Sequence, residues 1–246
     1  MKNLFKYVVL MYSFVCAPLS FAEDVKSTHP ERIQEMMKNG EAGNLNSQLK
    51  LGEYFYYEAE RTLRDPAKSL YWYEKAANQN ELKGQIETSR YYRNAIGTKL
   101  DLKKAEYWAI KAAEQGDAKS QSSLGMFYMN NSSAYPNHRE LALPWLRKAA
   151  KQYDADGLYL LNSYCFEEKG APRSHAIASA ALYGVAVKRS QMTGSTQKLM
   201  TSKATAFMDE LLEDEKKVAE KLIDDMAVDG QLLHKLNAAT KKAPCI

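Results

Sequence analysis

Apolar and polar positions along this chain follow a helical period, and the pattern itself returns. Leu51-Gly52-Glu53-Tyr54-Phe55 comes back as Thr88-Ser89-Arg90-Tyr91-Tyr92, Leu124-Gly125-Met126-Phe127-Tyr128 and Leu161-Asn162-Ser163-Tyr164-Cys165, at steps of 37, 36 and 37. A second landmark, Trp72-Tyr73-Glu74-Lys75-Ala76-Ala77, returns as Trp108-Ala109-Ile110-Lys111-Ala112-Ala113 and Trp145-Leu146-Arg147-Lys148-Ala149-Ala150, at steps of 36 and 37. Two independent landmarks on one beat mean a tandem repeat, and a period in this range belongs to arrays of helix pairs. Laid out at about 100° per residue, the positions −4, 0, +1, +3 and +4 about the first landmark gather on one side of the first helix. Small residues sit at −4 (Ser47, Gly84, Ser120, Gly157) and at +1 (Gly52, Ser89, Gly125), which predicts close approach of the two helices of a repeat. The second helices are expected to start at Asp65, Asp101, Asn137 and Ser174, residue types that cap a helix N-terminus, with Pro66 and Glu140 reinforcing two of them.

The flanks follow from the same pattern. Residues 31–39 read as a short helix with Ile33, Met36 and Met37 on one side, closing the first repeat, so 23–43 is an N-terminal cap. Four repeats are expected at about 44–80, 81–117, 118–154 and 155–194. The last is degenerate, with Leu182 for the Trp and Val185-Ala186-Val187 for Lys-Ala-Ala. Helices over 195–209 and 213–228, with Leu211, Leu212, Val218, Leu222, Ile223 and Met226 as core residues, close the array in a C-terminal cap, 195–246, that ends in a short helix over 231–241. At the start, Lys2 and Lys6 precede an apolar run from Tyr7 to Val15 and the small-residue site Ser20-Phe21-Ala22, so 1–22 reads as a signal peptide. The run is shorter than the ~20 residues a spanning helix needs, so no stable membrane span is expected after cleavage. Val15 before Cys16 argues against lipidation. The expected location is periplasmic, or secreted.

These motifs resemble the Sel1-like repeat family, whose pattern runs Leu-Gly-x-Met-Tyr, a loop, then Asp-x-x-Lys-Ala-x-x-Trp-Tyr-x-Lys-Ala-Ala-x-x-Gly; the match extends from Gly43 to about Gly194. The resemblance implies an all-α fold, a right-handed α-solenoid of Sel1-like (TPR-like) helix pairs with N- and C-terminal capping helices. It also implies mediation of protein–protein contacts. Exported Sel1-like proteins of this size resemble immunity proteins that neutralise a secreted toxic effector, often a phospholipase. The alternative is a secreted or periplasmic factor engaging host or envelope proteins. Some cysteine-rich relatives are described as binding or hydrolysing β-lactams, but this chain lacks their cysteine pair in each repeat.

Composition narrows the function classes. The chain has 34 Lys and Arg against 30 Asp and Glu; removal of 1–22 takes two lysines and no acid, and the near-balance is no nucleic-acid footprint. Outside the leader the cysteines are Cys165 and Cys245, which either pair in an oxidising compartment or remain two thiols. The four histidines, at 29, 138, 175 and 234, lack metal-ligand spacing, and no nucleophile elbow or phosphate loop is present. The expectation is therefore no enzyme, no cofactor and no metal, with a protein as partner.

The positions −2, +2 and +5 of the first helices fall opposite the packed side. They hold Leu49, Glu53 and Tyr56; Ile86, Arg90 and Arg93; Ser122, Met126 and Met129; Tyr159, Ser163 and Phe166. First helices line the concave surface of helix-pair solenoids, and Tyr, Met, Phe and Arg are enriched in interface cores. The candidate partner-binding residues are Tyr56, Arg90, Arg93, Met126, Met129, Tyr159 and Phe166. The competing reading is that neighbouring or closing helices bury part of this stripe.

Overall fold

The computed structural model of the chain describes residues 30–59, 62–165, 173–189 and 194–229, and every element among them is helical. In chain order these are α1 (Glu31–Glu41), α2 (Leu45–Glu53) with a π-helical turn (Tyr54–Glu58), α3 (Pro66–Asn78), α4 (Leu82–Arg93), α5 (Leu102–Glu114), α6 (Ala118–Asn130), α7 (His138–Lys151), α8 (Ala155–Cys165), α9 (Arg173–Arg189), α10 (Gly194–Asp209) and α11 (Glu213–Asp229). The pairs α2/α3, α4/α5, α6/α7 and α8/α9 occupy the spans expected for the four repeats. The fold class is an all-α array of helix pairs, an α-solenoid. The expected helices over 31–39, 195–209 and 213–228 stand within two residues of α1, α10 and α11, whereas 1–22 and 231–241 lie outside the described residues.

Local chemistry explains the recurrence. Each turn from a second helix, or from α1, into the next first helix holds one left-handed residue: Gly43 (φ 94°), Asn80 (63°), Gly116 (88°) and Tyr153 (58°). Next to each sits a cap. Asn44, Glu81, Asp117 and Asp154 accept hydrogen bonds from the amides of Ser47, Gly84, Ser120 and Gly157 at 2.9, 2.7, 2.7 and 2.8 Å, satisfying one orphan donor per helix. At the second helices, Asp65 accepts from Ala67 and Lys68, and Asp101 from Lys104. Two expected caps are corrected. Asn137 precedes α7 without a side-chain cap bond, because its backbone (φ −93°, ψ 27°) is not extended; Ser174 lies inside α9, which starts at Arg173.

The chain divides into two compact units, one running through Gly84 and the other from Gln85 onward. In the first, Ile33, Leu51, Phe55 and Trp72 form a sealed core flanked by Met36, Met37, Tyr54 and Tyr71. A Cβ on Gly40 would stand 2.8 Å from the Trp72 ring, and one on Gly52 2.7 Å from the Tyr73 ring. The small residue at −4 has a different job from the expected one. A Cβ on Gly84 would meet the backbone nitrogen of Ala77 at 2.7 Å, so this residue packs on the preceding second helix rather than on its own partner. The +1 residue serves the pair within a repeat, as expected.

The second unit repeats both arrangements: Gly125 lies against Leu146 and Gly157 against Ala149. Here α9 packs against α8, α10 and α11, and Ala178, Ala180, Ala181, Leu182, Tyr183, Val185 and Ala186 are all buried. A helix covered on several sides has no solvated face to keep, which accounts for the loss of the Lys-Ala-Ala pattern in the fourth repeat. Leu211, Ala219 and Ile223 of the closing segment are buried. Leu212 and Val218, expected in the core, are instead 61% and 47% exposed; Leu212 falls between α10 and α11. No helix among the described residues is long and apolar enough to cross a membrane.

Candidate functional site

Because the packed side of each first helix is fixed by Leu51, Leu124 and Leu161, all fully buried, the −2, +2 and +5 positions are left on the other side, with different fates. In the first unit Tyr56 is partly exposed in the π-helical turn, edge-to-face with Tyr57 at 4.4 Å. Glu53 is ion-paired with Lys83.

In the second unit α4 carries Ile86, 38% exposed, and the half-buried Arg90 and Arg93. On α6, Met126 and Met129 are partly exposed, but Ser122 is fully buried with its hydroxyl donating to the Lys119 carbonyl at 3.1 Å. The −2 position therefore does not belong to one continuous open stripe. On α8, which packs against α6, Tyr159 is partly exposed and its ring lies 6.1 Å from that of Tyr183, which stacks on Phe207 at 5.7 Å. Tyr159 is thus tied into the packing of α9 and α10 at one edge. Phe166, the Cys165 side chain and Cys245 lie outside the described residues, and with them the question of a disulfide.

The two arginines differ electrostatically. Arg90 Nε donates to Glu87 Oε2 at 2.8 Å, its Nη2 stands 2.7 Å from the same oxygen, and its guanidinium lies 4.9 Å from the Tyr91 ring centre. Burial, and then the neighbouring charge of Arg90, push Arg93 below the ordinary guanidinium value.

Two polar arrangements escaped the sequence reading. Glu106 on α5 accepts from both phenols of the third repeat: Tyr128 Oη donates to Oε1 and Tyr135 Oη to Oε2, each at 3.0 Å. Burial first and the Glu106 carboxylate second push both phenols well above the usual tyrosine range. Tyr135 arrives from the loop between α6 and α7, folded by bonds from its amide to the Asn131 carbonyl and from the His138 amide to its own carbonyl. With Lys103 Nζ of its own helix also 3.4 Å from Oε2, Glu106 ties α5 to the third repeat through the two phenols. The second arrangement is a glutamine ladder. Buried Gln48, Gln85 and Gln121 each accept, at Oε1, from the residue closing the second helix of their own repeat: Gln79 at 2.8 Å, Gln115 at 2.9 Å and Gln152 at 3.0 Å. Gln48 and Gln121 also donate to the Gly40 and Ala113 carbonyls of the preceding helix. The steps of 37 and 36 between these glutamines were the available signal. Among the described residues no group of three or more His, Cys, Asp or Glu side chains is placed to hold a metal ion.

Comparison with known proteins agrees with this architecture. The Sel1 repeat family model matches residues 45–81, 83–117 and 118–154. A crystal structure of c5321, a protective antigen present in uropathogenic Escherichia coli strains and displaying an SLR fold, is similar with a TM-score of 0.50 and 20% identity, covering 85% of this chain and 50% of that one. This chain therefore spans half the length of that protein, and the likeness bears on the fold. A Sel1 repeat protein from Oxalobacter formigenes is similar over 54% of this chain and 95% of its own, with 25% identity and a TM-score of 0.43. No curated protein matches the sequence.

Proposed function

This chain carries three Sel1 repeats, and we propose that it is an exported, non-enzymatic binding module that holds one protein partner on the side of its first helices opposite their packed face. The observation that carries this reading is the character of that side in the second unit. Ile86, Met126, Met129 and Tyr159 present partly exposed apolar surface beside Arg90 and Arg93, where a solvated helix face would be Lys, Glu and Gln. Export rests on the basic, apolar and small-residue organisation of 1–22. The more specific form is a periplasmic immunity protein whose partner is a secreted toxic effector such as a phospholipase.

The test sets binding beside stability. Met126→Ala and Met129→Ala, singly and together, are melted and used as bait beside wild type. A protein retained by wild type and lost by variants that melt like wild type supports the face. Variants that bind in proportion to their folded fraction overturn it. For the immunity role, the retained protein is assayed for phospholipase activity with increasing amounts of the chain. Loss of activity at stoichiometric addition is expected, and unaltered activity rejects that role.

A further inference from the structure

The last turn of α4 holds a cation without an anion among the described residues. Arg90 and Arg93 stand one turn apart, and Glu87 neutralises the first at 2.7 Å. Arg93 has no hydrogen bond or ion pair among the described residues, although it is half-buried; what acts on it is desolvation and the like charge of Arg90. Both raise the free energy of the charged guanidinium. Carbonyls at a helix C-terminus favour a cation and offset part of this cost. They do not supply the paired oxygens, held in one plane, that a guanidinium fork takes from a carboxylate.

We propose that Arg93 receives a carboxylate side chain, Asp or Glu, of the protein partner, and that apolar residues flanking this acid pack on Ile86 of the same helix. The proposal rests on the protein-binding reading and names the chemistry of the partner at that face. Charge complementarity selects the acid, since Arg90 already has Glu87 and Arg93 is the donor set left open. The exposed Ile86 on the same side of α4 selects a protein segment over a nucleic acid, as does the near-balance of 34 basic and 30 acidic residues.

Random short peptides displayed on phage are selected against the protein, and the enriched sequences are synthesised. They are titrated by fluorescence anisotropy against wild type, Arg93→Ala, Arg93→Lys, Ile86→Ala and Met126→Ala/Met129→Ala, each first shown to melt as a folded protein. The expected peptides share an acid next to apolar residues. Arg93→Ala should weaken them about thirtyfold or more, as for a desolvated charge pair, with Arg93→Lys recovering only part because a point charge replaces the fork. Changing the peptide's acid to its amide should cost as much against wild type and little against Arg93→Ala, the coupling of a direct pair. Peptides without an acid, or indifferent to Arg93→Ala yet weakened by the Ile86 or Met substitutions, overturn the carboxylate proposal and leave the binding face standing. Peptides indifferent to every substitution, or no enrichment at all, overturn both.

Discussion

Trp72 and Trp145 occupy the same position of the repeat, yet one is sealed and the other is not. Trp72 is 2% exposed, while Trp145 is partly exposed with Lys148 Nζ 4.1 Å from its ring centre. The two surroundings can be matched position by position, because every residue of the first setting returns 73 further on. Leu51 becomes Leu124, Gly40 becomes Ala113, Phe55 becomes Tyr128 and Ile33 becomes Glu106. The first region is therefore an apolar core with a hollow over Gly40 that admits the indole. Around Trp145, α5 of the second repeat brings the Ala113 methyl to the position of Gly40, and Glu106 of α5 with Tyr128 of the third repeat, bonded to each other, stand where the first setting has the apolar pair Ile33 and Phe55. A shared landmark fixes register; the neighbours decide what that register buries.

The largest expected effect breaks the likeness between the two tryptophans. Trp72→Ala should destabilise the protein by about 3 to 5 kcal/mol, the usual cost of emptying a packed aromatic site. Trp145→Ala should cost about 1 to 2 kcal/mol, since less apolar area leaves contact. Denaturant melts of the two variants check this, and equal losses would mean that the landmark alone sets the core. Next comes the exchanged pair. Glu106→Ile removes the acceptor of Tyr128 and leaves Tyr135 with the Leu102 carbonyl at 3.3 Å, and should cost about 2 kcal/mol. Glu106→Ile/Tyr128→Phe imports the apolar pair of the first region and should cost less than the single change, because removing both partners leaves fewer orphans.

The same cluster sets a pH dependence in the alkaline range. Tyr128 and Tyr135 have folded values raised above the unfolded value near 10. Their contribution is complete below pH 10 and is lost as pH rises towards the folded values. In that window the unfolded chain has released protons that the folded one retains, so stability falls by up to about 1.4 kcal/mol per pH unit for each phenol. Tyr135→Phe should flatten the decline of the melting temperature above pH 10 relative to wild type. A wild-type melting temperature constant from pH 9 to 11 would refute the linkage.

What the sequence disclosed is what repeats within a few residues of itself. Helix limits, the Asp65 and Asp101 caps, the buried Leu51 and Leu124 and the small residues at −4 and +1 all follow from local periodicity and hydrogen-bond chemistry. The partner of the −4 residue was misassigned because spacing along one helix does not say which neighbour lies beneath it. Val218 was placed in the core by its apolar side chain, yet α11 turns Ala219 inward instead. Ser122 looked like a solvent position and is buried; Tyr135, which no landmark of the repeat marks, is interior because the turn at Asn131 folds it back onto α5. At the candidate face, the arginines and methionines were legible from their position opposite the packed side. The pairing of Arg90 with Glu87, which leaves Arg93 as the open cation, depends on rotamers that no spacing specifies.

The smallest expected effect tests what the two regions share. Gln79 in the first and Gln152 in the third repeat close their second helices identically, each donating to a buried glutamine and to the carbonyl of the left-handed glycine in the turn that leads into the repeat, Gly43 or Gly116. Both donors lie towards solvent while Gln48 and Gln121, their acceptors, are buried. Alanine at either donor removes little apolar contact but leaves a buried amide oxygen unmatched, which places the cost at about 1 kcal/mol. Because the geometry agrees, Gln79→Ala and Gln152→Ala should cost the same within error, in contrast to the tryptophans they flank. Since they fall in separate units, the double variant should show the sum of the two losses. A larger loss at Gln79 would tie the ladder to the sealed core around Trp72, and the polar bonds would then follow the packing instead of setting the register on their own.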